Sequence, residues 1–187
     1  MTSEGMLWRH VVINTRGSWL HGDGRGFRSR KHRLHSSGDY RHPPPSGEHK
    51  GLREFHAKHA HAETTLEADL RPLIGREIVE QFISRGYRVL ALAVGKVHTH
   101  ALVELPESLP VVKAIVGDAK RRSSRAVRSG MPGSIWASGG TFKRVTSPSH
   151  LRSANDYILY DQGPRAWTWS FRDRSRIGLF GHKRKRR

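Results

Sequence analysis

The run YRVLALAVGKVHTHALVEL, from Tyr87 to Leu105, divides into two strand-like halves. Tyr87 to Val94 and Val97 to Leu105 are rich in β-branched and large apolar residues, and Gly95-Lys96 stands between them in the position of a tight turn. The expectation is a β-hairpin. Its second strand carries His98 and His100, whose side chains leave the same face of a strand about 7 Å apart, a spacing that can converge on one cation. The chain has 13 His, and the same spacing recurs at His59-Ala60-His61, so the pair alone carries little weight.

On the N-terminal side of the hairpin, Leu70, Ile74, Ile78 and Phe82 recur every four residues with Val79 and Ile83 beside them. Pro72 near the start and Gly86 past the end frame an amphipathic helix. Earlier, Leu7 to Thr15 reads as a first strand. Gly, Arg and His then dominate as far as Pro43-Pro44-Pro45, and WLHGDGRGF (Trp19 to Phe27) has too few apolar residues for a core strand and reads as a loop. A short helix is expected within Gly51 to Leu66. His56, His59 and His61 crowd along it, where a solvated face is favoured over metal binding.

On the C-terminal side, Val111 to Arg128 after Pro110 predicts a second helix whose Arg121, Arg125 and Arg128 share one basic face. Trp136 and Gly139-Gly140 lead into a strand over Thr141 to Val145. Ser149 to Asp161 predicts a helix that Gly163-Pro164 stops, and the terminal Lys183 to Arg187 run reads as a disordered arm. The order strand, helix, strand, strand, helix, strand, helix describes an α+β fold, a ferredoxin-like antiparallel sheet with helices packed on one face. By domain, residues 1–16 supply the first strand, 17–66 a His/Gly/Pro-rich insertion, 67–165 the rest of the domain and 166–187 a basic arm.

Thirty-four Lys and Arg against 16 Asp and Glu give a formal charge of +18 over 187 residues and a pI near 11.3. Such a chain repels itself unless a polyanion shares the solution, so nucleic acid is the expected partner. A structural RNA-binding protein and a basic surface with no specific ligand satisfy the same charge. There is no cysteine, which excludes disulfides and thiolate zinc sites and leaves His, carboxylate or amide ligands for any metal. The longest apolar run in a clear element, Val89 to Val94, falls far short of the roughly 20 residues of a spanning helix, and no signal-like apolar region opens the chain. A soluble, cytoplasmic protein is expected, without a membrane partner.

Tyr157 and Asp161 lie one helical turn apart and point to the same side of their helix. Phosphodiester cleavage needs a nucleophile and something to neutralise the phosphate oxygens. Tyr157 can supply the first, and a cation on two imidazoles and a carboxylate the second. Against this, Tyr157 can be a core contact and Asp161 a solvated helix end. Tyr160 is a rival nucleophile.

VHTHALVEL (Val97 to Leu105), the basic AKRRSSRAVR, IWASGGTFKRV and YILYDQ, in this order, resemble the single-tyrosine transposases of the His-hydrophobic-His endonuclease superfamily, the REP-associated branch most of all. The resemblance covers roughly Leu7 to Gln162 and rests on the ordered set. It implies Tyr157 as a nucleophile that leaves a 5′-phosphotyrosine and a free 3′-hydroxyl on single-stranded DNA. It implies Mg2+ or Mn2+ on His98, His100 and Asp161, and single-stranded or hairpin DNA as partner. The candidate DNA contacts are Lys120, Arg121, Arg122, Arg125, Lys143 and Arg144. Related enzymes act as monomers or homodimers, and both remain open. Thr99 stands where the family has a bulky apolar residue, Asp161 replaces a more usual Gln, and Gly17 to His61 lengthens the usual start. A non-catalytic nucleic-acid binder derived from such a transposase is the alternative, and a zinc hydrolase with a water nucleophile the third reading.

Overall fold

The computed structural model describes residues 5–20, 23, 35–37, 42, 44–59 and 62–173. Most of Trp19 to Phe27, His61 and the Lys183 to Arg187 arm lie outside the described residues. The chain forms two compact units, Met1–Thr15 with Thr65–Arg187, and Arg16–Thr64.

In the larger unit, β1 (Met6–Asn14), β2 (Val89–Val94), β3 (His98–Pro106), β4 (Thr141–Arg144) and β5 (Trp167–Ser170) make one antiparallel sheet in the order β4-β1-β3-β2-β5. The hairpin is present. β3 starts one residue later than its composition suggests, and just before it the Val97 carbonyl accepts from both the N–H and the hydroxyl of Thr15.

The helices are α2 (Arg71–Ser84), α3 (Leu109–Ala126) and α4 (Pro148–Tyr160). The four-residue periodicity of α2 buries Ile74, Ile78 and Phe82, and Gly86 (φ 85°) ends the helix. In α3, Val112, Val116, Ala119 and Ser123 are buried while Arg121 and Arg125 are exposed, as is Arg128 in the turn that follows. Ser147 caps α4 by accepting the His150 N–H at 3.1 Å.

The expected α+β class with an antiparallel sheet is observed. α2 and α3 share one face, packing on Val11, Ile13, Leu92, Val94 and Val103. α4 lies against the other, where Ala91, Ala93 and Leu102 meet Ala154 and Ile158. Strand alternation divides the residues in this way: on β1, Arg9, Val11 and Ile13 are buried on the first face, leaving Trp8, His10, Val12 and Asn14 for the second.

One boundary is corrected. Residues 166–187 were expected to be an arm, yet Trp167–Ser170 is an edge strand pairing with β2 from Ala91 to Val94. Trp169 is buried in the core beneath α2, and Trp167 packs so closely on α2 that a Cβ at Gly75 would overlap its ring. The Arg-rich sequence beyond hides a four-residue strand whose two Trp alternate onto one face.

In the smaller unit, α1 (Lys50–His59) buries no residue, and the His59 Nδ1 hydrogen-bonds the Phe55 carbonyl at 2.8 Å. The short helix expected around Gly51 to Leu66 is present over its first part and ends at His59. Thr64 spends its N–H on the Arg16 carbonyl rather than on a helical turn.

Candidate functional site

Four rings gather on the α4 face of the sheet. His98 and His100 occupy alternate positions of β3, their ring centroids 4.8 Å apart. From α4, Tyr157 places its ring edge-on to His100 at 5.4 Å. The fourth is His10 of β1, 6.0 Å from Tyr157 between centroids, with its Nε2 and the His100 Nδ1 sharing a hydrogen bond at 2.9 Å. His10 stands opposite Leu102 in the ladder, so it reaches His100 on the diagonal. Ala91, Ala93 and Ala154 are small, which lets α4 lie close on the strands and carries Tyr157 to the rings.

The site holds neutral imidazoles in positive surroundings. Burial, then the neighbouring His98 and His10, pulls the His100 pKa from 6.5 down to about 3. Burial, then Lys143 and His150, pulls His10 down to about 4. Both rings therefore keep an unprotonated nitrogen at neutral pH, the state that ligates metals or accepts hydrogen bonds. Because His10 occupies the Nδ1 of His100, Nε2 is the ring nitrogen left for another partner. Tyr157 is 42% exposed, within reach of a substrate.

Asp161 is at the C-cap of α4, exposed, its N–H donating to the Tyr157 carbonyl at 3.1 Å. Among the described residues no group of three or more His, Cys, Asp or Glu is arranged to hold a metal ion. The structure thus brings His98 and His100 together with Tyr157, and leaves Asp161 outside a three-donor group. Tyr160, the rival phenol, is 77% exposed and lines a cleft beyond the histidines.

The candidate DNA contacts separate into two kinds. Lys120 donates to the carbonyls of Ala137 (2.5 Å) and Gly139 (2.9 Å), pinning the loop that leads into β4, and burial lowers its pKa. Arg121 pairs with Asp118, and Arg122 with Glu77 (2.5 Å) and Glu80 (3.7 Å) of α2. Arg125, Lys143 and Arg144 are exposed, the last two on the edge strand β4 beside His10. Arg125 lines a cleft of about 540 Å³ with Arg121, Ser124, Arg128 and Ser134.

His10 is the site residue that sequence reasoning missed. Its signal was the alternation of β1, which sets His10 apart from buried Arg9 and Val11, but the pairing of β1 with β3 that aims it at His100 is not a local property. Further along the same face, buried Glu104 pairs with Arg88 (Nη2 to Oε1 2.6 Å), whose guanidinium lies 5.5 Å from the Trp8 ring centroid. On the opposite face Thr99 is fully buried, and its hydroxyl has no hydrogen-bond partner among the described residues.

No family model matches the chain, and no curated protein matches it. Among described residues, no helix is long and apolar enough to cross a membrane. Among solved structures, the chain is similar to a REP-associated tyrosine transposase bound to a REP hairpin. The identity is 14% and the TM-score 0.44, over 84% of this chain and 67% of that one, a distant likeness in structure.

Proposed function

We propose that this protein nicks and rejoins single-stranded DNA, with Tyr157 as the nucleophile. The observation that carries the reading is the phenol of α4 set edge-on to the neutral His100 and beside His10, half-exposed at a positively charged rim. In the step proposed, the Tyr157 oxygen attacks the scissile phosphorus as it gives up its proton. The P–O3′ bond breaks, and the departing 3′ oxygen takes up a proton. The products are a 5′-phosphotyrosine and a 3′-hydroxyl, and reversal on a second end rejoins the strand without a nucleotide cofactor.

The donor set fits a divalent cation in part. His98 and His100 are adjacent imidazoles, His100 is held neutral, and they would hold the ion. Asp161 is the third ligand by the motif resemblance alone. Bound there, Mg2+ or Mn2+ would neutralise charge on the non-bridging phosphate oxygens. His10 fixes the ring orientation of His100, Lys143 and Arg144 draw the phosphate chain toward the rim, and single-stranded or hairpin DNA is the substrate class.

A second reading, a nucleic-acid binder without catalysis, is favoured by the lack of a three-donor metal group among the described residues. The two part on one experiment. Hairpin-containing single-stranded oligonucleotides are incubated with the protein and Mn2+, and a covalent adduct is sought on a denaturing gel for wild type, Tyr157→Phe and His100→Ala. Binding with no adduct selects the second reading, and strand cutting that survives Tyr157→Phe selects a water nucleophile.

A further inference from the structure

On the far side of α4 from the histidines, a cleft of about 440 Å³ opens over β2 and β5. Leu90 of β2 and Leu151 and Leu159 of α4 give it an apolar floor and wall. At its rim stand two large aromatic rings, Tyr160 at 77% exposure and Phe171 at 48%. Rings so exposed are not contributing to the core, and Tyr160 is the i+3 neighbour of Tyr157, so the cleft begins one helical step from the proposed nucleophile.

We infer that this cleft receives an unpaired nucleobase of the DNA strand flanking the scissile phosphate, stacked between Tyr160 and Phe171; the inference rests on the reading of Tyr157 given above. Three features select a base. Aromatic platforms flanked by guanidinium groups, here the exposed Arg152 and Arg172, are the means by which proteins hold single strands, the rings taking bases and the cations taking backbone phosphates. The formal charge of +18 supplies the complementarity for a polyanion. Within the cleft, Asp156 beside Asn155 repels a phosphate and can accept from the exocyclic amine of a base, so the phosphates belong at the arginine rim and the base inside.

The test measures equilibrium binding by fluorescence anisotropy. The probe is a labelled hairpin oligonucleotide with unpaired flanks of mixed sequence, compared with versions carrying an abasic site at each flank position in turn. Wild type, Tyr160→Ala and Phe171→Ala are used as full-length chains; both substituted rings are exposed, so the fold is retained. A stacked base predicts that one abasic position weakens wild type by about tenfold. Tyr160→Ala weakens binding of the intact flank by about the same factor and adds nothing at that abasic position. Variants that bind the intact flank as wild type does, or that lose equal affinity for intact and abasic flanks, overturn the assignment. Concentration-dependent self-association abolished by Tyr160→Ala also overturns it, giving the cleft to a second copy. The same oligonucleotides are assayed for the Tyr157 adduct. An adduct without coupling between Tyr160 and the base removes the cleft alone, and coupling without an adduct keeps the cleft while removing the cleavage reading.

Discussion

The two faces of the sheet are built differently. Toward α2 and α3 the strands present Val11, Ile13, Leu92, Val94, Val103 and Leu105, all fully buried, and Trp169 closes the edge. Toward α4 they present the buried Ala91, Ala93 and Leu102, the partly buried Trp8 and Leu90, and the polar His10, His100 and Glu104. Large apolar side chains fill the first face and hold the domain together. Small residues on the second let a helix approach closely, and polar ones give it chemistry. Stability and function are thus assigned to opposite sides of the same strands, and a substitution should affect the property of the face it touches.

The largest expected effect on stability falls on the closed face. Gly75→Ala in α2 places a methyl group inside the Trp167 ring, so Trp167 must leave its position. We expect a loss of roughly 3 kcal/mol, which at this chain length lowers Tm by about 6–12 °C. Gly117→Ala in α3, where the new Cβ would meet only the end of Arg121 at 3.5 Å, should instead stabilise by about 0.5–1 kcal/mol. Equal signs for the two variants in thermal unfolding would mean that Trp167 does not pack as described.

A smaller effect per residue separates the faces by pH. His10 and His100 have folded pKa values of about 4 and about 3, below the 6.5 of an unfolded chain. Between these limits the unfolded state binds protons that the folded state refuses, so stability present above pH 6.5 is lost as pH falls. Each of the two rings should cost roughly 2 kcal/mol by pH 5. The double variant His10→Gln, His100→Gln should show a flatter Tm against pH than wild type, and parallel curves would deny the burial of these rings. The smallest effect returns to the closed face. Thr99→Val removes a buried hydroxyl that has no partner among the described residues and should raise stability by about 1 kcal/mol; a lower Tm would mean that the hydroxyl is satisfied.

Much of this division was legible in the sequence. The hairpin from Tyr87 to Leu105, the period of α2 and the one-turn spacing of α4 are local patterns, and local patterns survive folding when they agree with burial. The His98 and His100 pair was visible for the same reason. What escaped depended on pairing between distant segments. His10 becomes part of the cluster only through the β1 to β3 register. Lys120 is withdrawn from the exposed cations only because the loop after α3 offers it two carbonyls. β5 is four residues long, next to an arginine-rich run, and its strand character comes from the open edge of β2. Asp161 shows the reverse case, since a position one turn from Tyr157, at the C-cap of α4, did not by itself make a three-donor group among the described residues.

The central claim concerns the open face, where Tyr157 is the group that joins to DNA. Its most direct measurement is mass spectrometry of the peptide carrying residues 153–165 after incubation with Mn2+ and hairpin-containing single-stranded oligonucleotides, for wild type, Tyr157→Phe and Tyr160→Phe. A nucleotide mass on Tyr157 in wild type and in Tyr160→Phe, absent from Tyr157→Phe, is the result predicted. The same mass retained in Tyr157→Phe, or cut DNA with no modified peptide, would contradict it.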